Sequence, residues 1–374
     1  LLCSATQPCL EQTAHPLLLA HPSDLVAYDA ALWKAFRRTE IFDRRIPGGY
    51  STEELAAFVS CCADEQGSVL LICNTKAEAL GLYRQLRLQP GTFHLSTAMC
   101  MEHRLRTLQA IHAALHDHER VVCISTQLVE AGVDFSFGCV IRILAGMDNV
   151  VQAAGRCNRN GEHAERGPVY LVNLREERLS RLPEIWQAQK AAESLLADFA
   201  ENPAAFDGEL TSDTAIRAYY RALYAEMDNG GQDYPLPDLG TSLLDLLSVN
   251  RVFRSRCRTA GAYILGQAFQ TAGKRFRVFE DNTMDVLVPF GEGAQLIAAL
   301  CSDKARWDLV HRGEQLKKAG RYTVCLYQYQ LDKLRENGGV YSLCDGTILA
   351  LQPEFYAEET GLCLEGENEQ FLEV

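Results

Sequence analysis

No stretch of this sequence offers the roughly 18 consecutive apolar residues that a membrane-crossing helix needs. None of its 14 cysteines stands in C-x-x-C spacing, which removes the common zinc and thiol-redox frameworks. Positive charge is short too. The 36 basic residues against 49 acidic ones leave a net charge of -13, which excludes a surface coated for nucleic acid and requires any polyanion site to be built from a few focused residues. The scattered cysteines, several inside apolar runs (Cys73, Cys123, Cys139, Cys325), read as reduced core residues of a cytoplasmic protein. The opening Leu1-Leu2-Cys3-Ser4-Ala5-Thr6-Gln7-Pro8 lacks the order of charged, apolar and small residues of a signal peptide. With no initiator Met it reads as the last strand of something, so a fragment of a longer protein is expected.

What is present is an ordinary globular composition, 374 residues with 47% hydrophobic content, enough for two or three domains. Short β-rich runs at 69–73, 92–95, 120–125, 139–144 and 168–173 alternate with amphipathic helical segments at 76–88, 101–116 and 149–156 and a turn of helix at 127–131. That alternation predicts parallel βαβ units and one doubly wound α/β domain over 47–175. Before it, a short apolar strand at 17–20 and a helix at 28–38 form a connector. The period then turns helical, predicting a linker over 176–259. Short strands at 275–280, 284–289, 322–327 and 339–351 with a helix at 293–301 predict a small α+β domain over 260–374.

Three chemistry-bearing strings follow strands of the α/β region. Gln152-Ala153-Ala154-Gly155-Arg156-Cys157-Asn158-Arg159 places two arginines three apart on one helix face, a spacing that suits two guanidinium groups converging on a multi-anionic target. Ser125-Thr126-Gln127-Leu128-Val129-Glu130-Ala131-Gly132-Val133-Asp134 opens a short helix with hydroxyls where phosphate binds and adds a turn glycine and a carboxylate. Asn74-Thr75 ends a third strand just before a helix. Each string alone reads equally well as a helix cap or a solvated helix end. Their common placement at the carboxyl edge of one parallel sheet points to a ligand site.

On these strings the sequence resembles the second lobe of superfamily-two helicases, with Ser4-Ala5-Thr6 similar to motif III, Asn74-Thr75 to motif IV, Ser125–Asp134 to motif V and Gln152–Arg159 to motif VI. More narrowly it resembles the CRISPR-associated helicase-nuclease of type I systems. The resemblance implies a RecA-like sheet over 47–175, preceded by the end of a first lobe over 1–46 and followed by the helical linker and a C-terminal accessory domain. It implies Arg156, Arg159 and Gln152 as catalytic groups at the phosphates of ATP, with Gly132, Asp134 and Gly155 in the same nucleotide site. It further implies Asn74, Thr75, Ser96, Arg104 and Thr126 against single-stranded DNA, and Ser4, Ala5 and Thr6 as coupling residues. The implied cofactors are ATP and Mg2+ shared with a first lobe, and the implied partners are an N-terminal nuclease, that lobe and the CRISPR surveillance (Cascade) complex.

The departures bear on activity. No G-x-x-x-x-G-K-[ST] phosphate cradle and no D-E-x-[DH] box occur in the sequence. His112, His116 and His118 around Asp117 read as a solvated helix end and not as a metal site. Half an ATPase is therefore expected, inactive by itself. A motor subunit of another superfamily-two system, such as a restriction enzyme, and a non-catalytic docking module remain open at this point.

Overall fold

The structure, a computed structural model, describes residues 4–13, 16, 36–130, 132–162, 164–180, 182–227, 233–256, 266–277, 283–301, 309–344 and 346–366. The strand expected at 17–20, most of the helix expected at 28–38 and residues 278–280 of the strand expected at 275–280 lie outside them. The described start of that last segment is not a strand, since Arg275 ends a helix that begins at Phe269. Packing divides the chain into two compact units, Leu1–Ala27 with Trp186–Asp281, and Tyr28–Ile185 with Asn282–Val374.

The second unit is built on a six-stranded, all-parallel sheet of β1 (Thr39–Asp43), β2 (Ser68–Cys73), β3 (Thr92–Leu95), β4 (Val121–Thr126), β5 (Cys139–Ile143) and β6 (Gly167–Val172), ordered β1-β6-β5-β2-β4-β3. Five of these are the strands the apolar runs predict. The helices are α1 (Thr52–Gln66), α2 (Lys76–Leu86), α3 (Met101–His116) and α4 (Met147–Ala154). Successive side chains of a strand leave on opposite faces, and β2 shows the result. Val69, Leu71 and Cys73 pack with Leu55, Val59, Leu82 and Leu86 of α1 and α2, whereas Leu70 and Ile72 pack with Ile111 and Ala153 of α3 and α4. A doubly wound α/β fold follows, with every carboxyl strand end on one edge. Helix α1 starts on a capping box, with Ser51 Oγ accepting from the Glu54 amide and the Glu54 carboxylate accepting from the Ser51 amide.

The tail adds a four-stranded sheet in the same unit. Strand β7 (Thr283–Leu287) pairs antiparallel with β8 (Thr323–Tyr327) and parallel with β10 (Ile348–Leu351), which pairs antiparallel with β9 (Val340–Leu343). Cys325 faces outward on edge strand β8, unlike the buried Cys73, Cys123 and Cys139. The sheet is fastened to the start of α3. The Tyr356 hydroxyl accepts from the Cys100 amide (3.0 Å) and meets His103 Nδ1 (3.0 Å), whose ring stacks on Phe290 at 4.1 Å. The Leu362 amide donates to the Ala98 carbonyl (2.9 Å). At Gly361, φ is +82° and a Cβ would lie 2.4 Å from that same carbonyl, so only glycine fits.

This contact carries a pH dependence. Burial holds the imidazoles of His94 and His103 neutral, down at about 4. The unfolded chain takes up both protons near pH 6.5 and the folded one only near pH 4, so stability is full above that window and falls as pH drops through it. The slope is about 1.4 kcal/mol per pH unit for each histidine. Melting temperature should fall from pH 6.5 to 4.5, less steeply in His103→Phe. A flat profile, or an unchanged slope in that variant, contradicts the assignment.

The first unit is helical. Pro183–Glu201 buries Ala191, Ala192, Leu195 and Leu196, and Asp213–Glu226, capped by Ser212, buries Ala215, Ile216 and Tyr219. Thr6 Oγ1 lies 3.0 Å from the Tyr220 hydroxyl, so the Ser4-Ala5-Thr6 segment packs on this helix.

Candidate nucleotide and nucleic-acid site

The carboxyl edge of the large sheet holds Asn74-Thr75 and Ser125-Thr126. The end of the arginine string lies at the amino edge instead, where 157–159 sit beside the starts of β5, β6 and β1, because α4 runs back along β5. The common carboxyl-edge placement expected from the sequence does not hold for those residues. Helix α4 runs from β5 to Ala154, and the chain after it pairs in parallel with the segment before β5: the Phe137 amide donates to the Arg156 carbonyl and the Asn158 amide to the Phe137 carbonyl, both at 2.9 Å. That pairing holds the arginine string against the 125–134 string. Arg156 is buried, with Nε donating to the Val129 carbonyl (2.9 Å) and Nη2 to the Glu130 carbonyl (2.8 Å). Burial, with Arg159 close by, lowers its pKa from the ordinary guanidinium value.

Arg159 is different. Its side chain is 43% exposed and donates through Nε to Asp134 Oδ1 at 2.7 Å, and Asp134 is 84% exposed. Arg38 donates to the Arg159 carbonyl, fixing the backbone below the guanidinium. A partly solvated ion pair is worth little in stability, so Arg159 can exchange Asp134 for a stronger anion at small cost. Gln152 is half-buried on α4. Gly132 has φ +75° with open space where a Cβ would stand, so it serves the turn. Gly155 has an ordinary φ of -63°, and the atoms a Cβ would approach are carbonyls of its own preceding turn, so close approach of a neighbouring helix does not explain it.

On the other side, Thr75 caps α2 with its hydroxyl accepting from the Glu78 amide (3.2 Å), while the Glu78 carboxylate takes the amides of Asn74 and Thr75 (both 3.1 Å). The amides of Asn74, Thr75 and Glu78 are thus already satisfied, and the hydroxyl proton is what the Thr75 side chain can donate to a phosphate. Thr75 lines a cleft of about 420 Å³ with Tyr50, Ser51, Arg175 and Arg178. Thr126 closes β4 without capping the turn that follows. Arg104 is half-buried on α3, near Tyr356. Ser96 presents no surface: it is fully buried, 3.0 Å from His94 Nε2, and accepts from the Ala98 amide, because its side chain turns into the core at the end of β3. Ser4, Ala5 and Thr6 belong to the other unit.

Sequence reasoning passes over the group between the two sides. Arg142, in the middle of β5, has no exposed surface. Its Nε donates to Glu130 Oε1 (3.0 Å) and its Nη1 to Asn74 Oδ1 (2.7 Å) and the Ile143 carbonyl (2.6 Å). Asn149 donates to Glu130 Oε2 (2.8 Å), and Asn74 Nδ2 donates to the Leu144 carbonyl and to Glu177. Among the described residues no group of three or more His, Cys, Asp or Glu could hold a metal ion. The donors fit an anionic phosphate chain at the arginine side.

Residues 65–162 match the family model described as CRISPR-associated nuclease/helicase Cas3, C-terminal. The CRISPR-associated nuclease/helicase Cas3 of Haloferax volcanii is 56% identical over 51 residues, 14% of this chain and 5% of that protein. That of Methanothermobacter thermautotrophicus is 27% identical over 97 residues, 26% of this chain and 12% of that protein. The crystal structure of T. fusca Cas3-ADP superposes with a TM-score of 0.49 at 16% identity, over 78% of this chain and 36% of that one. The chain therefore spans a small part of the length of the relatives it matches. Residues 65–162 are thus similar to the C-terminal part of CRISPR-associated nuclease/helicase Cas3.

Proposed function

We propose that this chain is the second-lobe part of an ATP-dependent translocase on single-stranded DNA, acting with a nuclease and the CRISPR surveillance complex in type I interference. The observation that carries the reading is the division of labour between the two arginines. Arg156 pins the arginine string to the 129–130 backbone, and Arg159, ion-paired with an exposed carboxylate, stands ready to meet charge arriving from outside.

ATP, held with magnesium on a first lobe, supplies the γ-phosphoryl group. Arg159 leaves Asp134 as the lobes close and stabilises the charge that develops on transfer, with Arg156 holding the loop in register and Gln152 facing the same phosphates. Asp134 then recaptures Arg159 when the lobes part. Without the phosphate cradle this chain has no turnover of its own. Thr75 and Thr126 hold the DNA phosphates through their hydroxyls, with Arg104 on the neighbouring strand-helix unit, so contacts are sequence-independent.

Thr75→Val tests the DNA side. Losing one hydroxyl contact should weaken oligothymidylate binding to the 374-residue chain by about threefold to tenfold, read by fluorescence anisotropy, and Thr75→Ser should restore it. Unchanged binding in Thr75→Val together with a lower melting temperature would reduce Thr75 to a helix cap.

A further inference from the structure

The Arg142 network is out of keeping with its surroundings. β5 is buried along its whole length, and an arginine within it carries a desolvation cost that packing alone does not return. An apolar residue there would serve the sheet equally well. The guanidinium is also incompletely matched, since Nη2 is buried with no hydrogen-bond partner. What it does accomplish is connection. One branch reaches Asn74, adjacent to the Thr75 hydroxyl. The other reaches the carboxylate of Glu130, whose carbonyl receives Arg156. Asn149 holds the second carboxylate oxygen, so Glu130 cannot turn without disturbing α4.

Resting on the reading above, we propose that Arg142 is a positioning residue that relays occupation of the DNA side at Asn74–Thr75 to the Glu130–Arg156 contact on the nucleotide side. A strand phosphate drawn to Thr75 shifts Asn74. Arg142 must then rebalance between Asn74 and Glu130, with its spare Nη2 proton available for a second arrangement, and Glu130 carries the shift to the backbone that Arg156 grips. Two discrete hydrogen-bond arrangements of one buried guanidinium are a bistable element that both sides can bias. Lysine cannot replace the fork, because it is a single point donor.

Hydrogen exchange on the 374-residue chain, with and without a saturating oligothymidylate, decides this. In the wild type the oligonucleotide should slow exchange at the Asn74 and Thr75 amides and, by about fivefold or more, at the Glu130, Arg156 and Asn158 amides. In Arg142→Lys the first effect should persist and the second disappear. Slowing confined to Asn74 and Thr75 in the wild type overturns the relay and leaves the DNA reading standing, as does slowing at both places in Arg142→Lys. No slowing at Asn74 and Thr75 in the wild type overturns the DNA reading and the relay with it. The wild-type arm is sufficient if Arg142→Lys fails to fold.

Discussion

Arg159→Ala in a protein that joins this chain to a first lobe should cut DNA-stimulated ATP turnover by about 10³-fold or more while leaving single-stranded DNA affinity nearly unchanged. The side chain is attached to the fold by one partly solvated ion pair and a weak 3.3 Å contact to the Gly155 carbonyl, so its removal leaves no buried group unsatisfied. The loss therefore reports charge stabilisation in the transition state and not misfolding. Arg156 is a poorer probe. Deleting it orphans the carbonyls of Val129 and Glu130, at about 1–3 kcal/mol each, so Arg156→Ala should lower both turnover and stability. A variant at Arg159 that keeps its ATPase and loses DNA binding would reverse the roles given to the two sides.

The largest stability effect belongs to Glu130. Glu130→Ala leaves the fully buried Arg142 charge without its carboxylate partner and should destabilise the sheet unit by about 3–5 kcal/mol in chemical denaturation. The double variant Glu130→Leu with Arg142→Met removes both charges and should recover most of that loss. If the double variant is no more stable than Glu130→Ala, the stranded charge is not the cause. Burial raises the Glu130 carboxyl pKa while Arg142 and Asn149 oppose the rise, so the pair is held by geometry as well as by charge.

Most of the large sheet is legible in the sequence because parallel strands covered on both faces need near-continuous apolar runs, and 69–73, 121–125 and 139–144 supply them. Strand β1 is not. Thr-Glu-Ile-Phe-Asp is a half-exposed edge strand with only two apolar residues, and β6 alone orders it. Helix α1 is marked by its Ser51-Thr52-Glu53-Glu54 capping box, a local signal that strand-seeking passes over. The proximity of the 125–134 and 152–159 strings follows from topology. The inward turn of Ser96 does not, because a serine at a strand end reads alike whether its hydroxyl points to solvent or to His94. Arg142 is visible as an anomaly, a lone charge within Val140-Ile141-Arg142-Ile143-Leu144, but its partners lie 68 residues back at Asn74 and 12 back at Glu130. The attachment of the tail to α3 rests on contacts between residues far apart in sequence, such as His103 to Tyr356, 253 positions on, and no local pattern announces them.

The central claim is that this chain supplies one half of an ATPase. Its most direct test is complementation: ATP turnover of the purified chain alone, of a separately purified first lobe carrying a phosphate cradle, and of the two mixed with single-stranded DNA. The account predicts no turnover by the chain, turnover in the mixture, and loss of that turnover when the chain carries Arg159→Ala. Turnover by the chain alone that Arg159→Ala abolishes, or equal turnover with the wild-type and Arg159→Ala chains in the mixture, would contradict it.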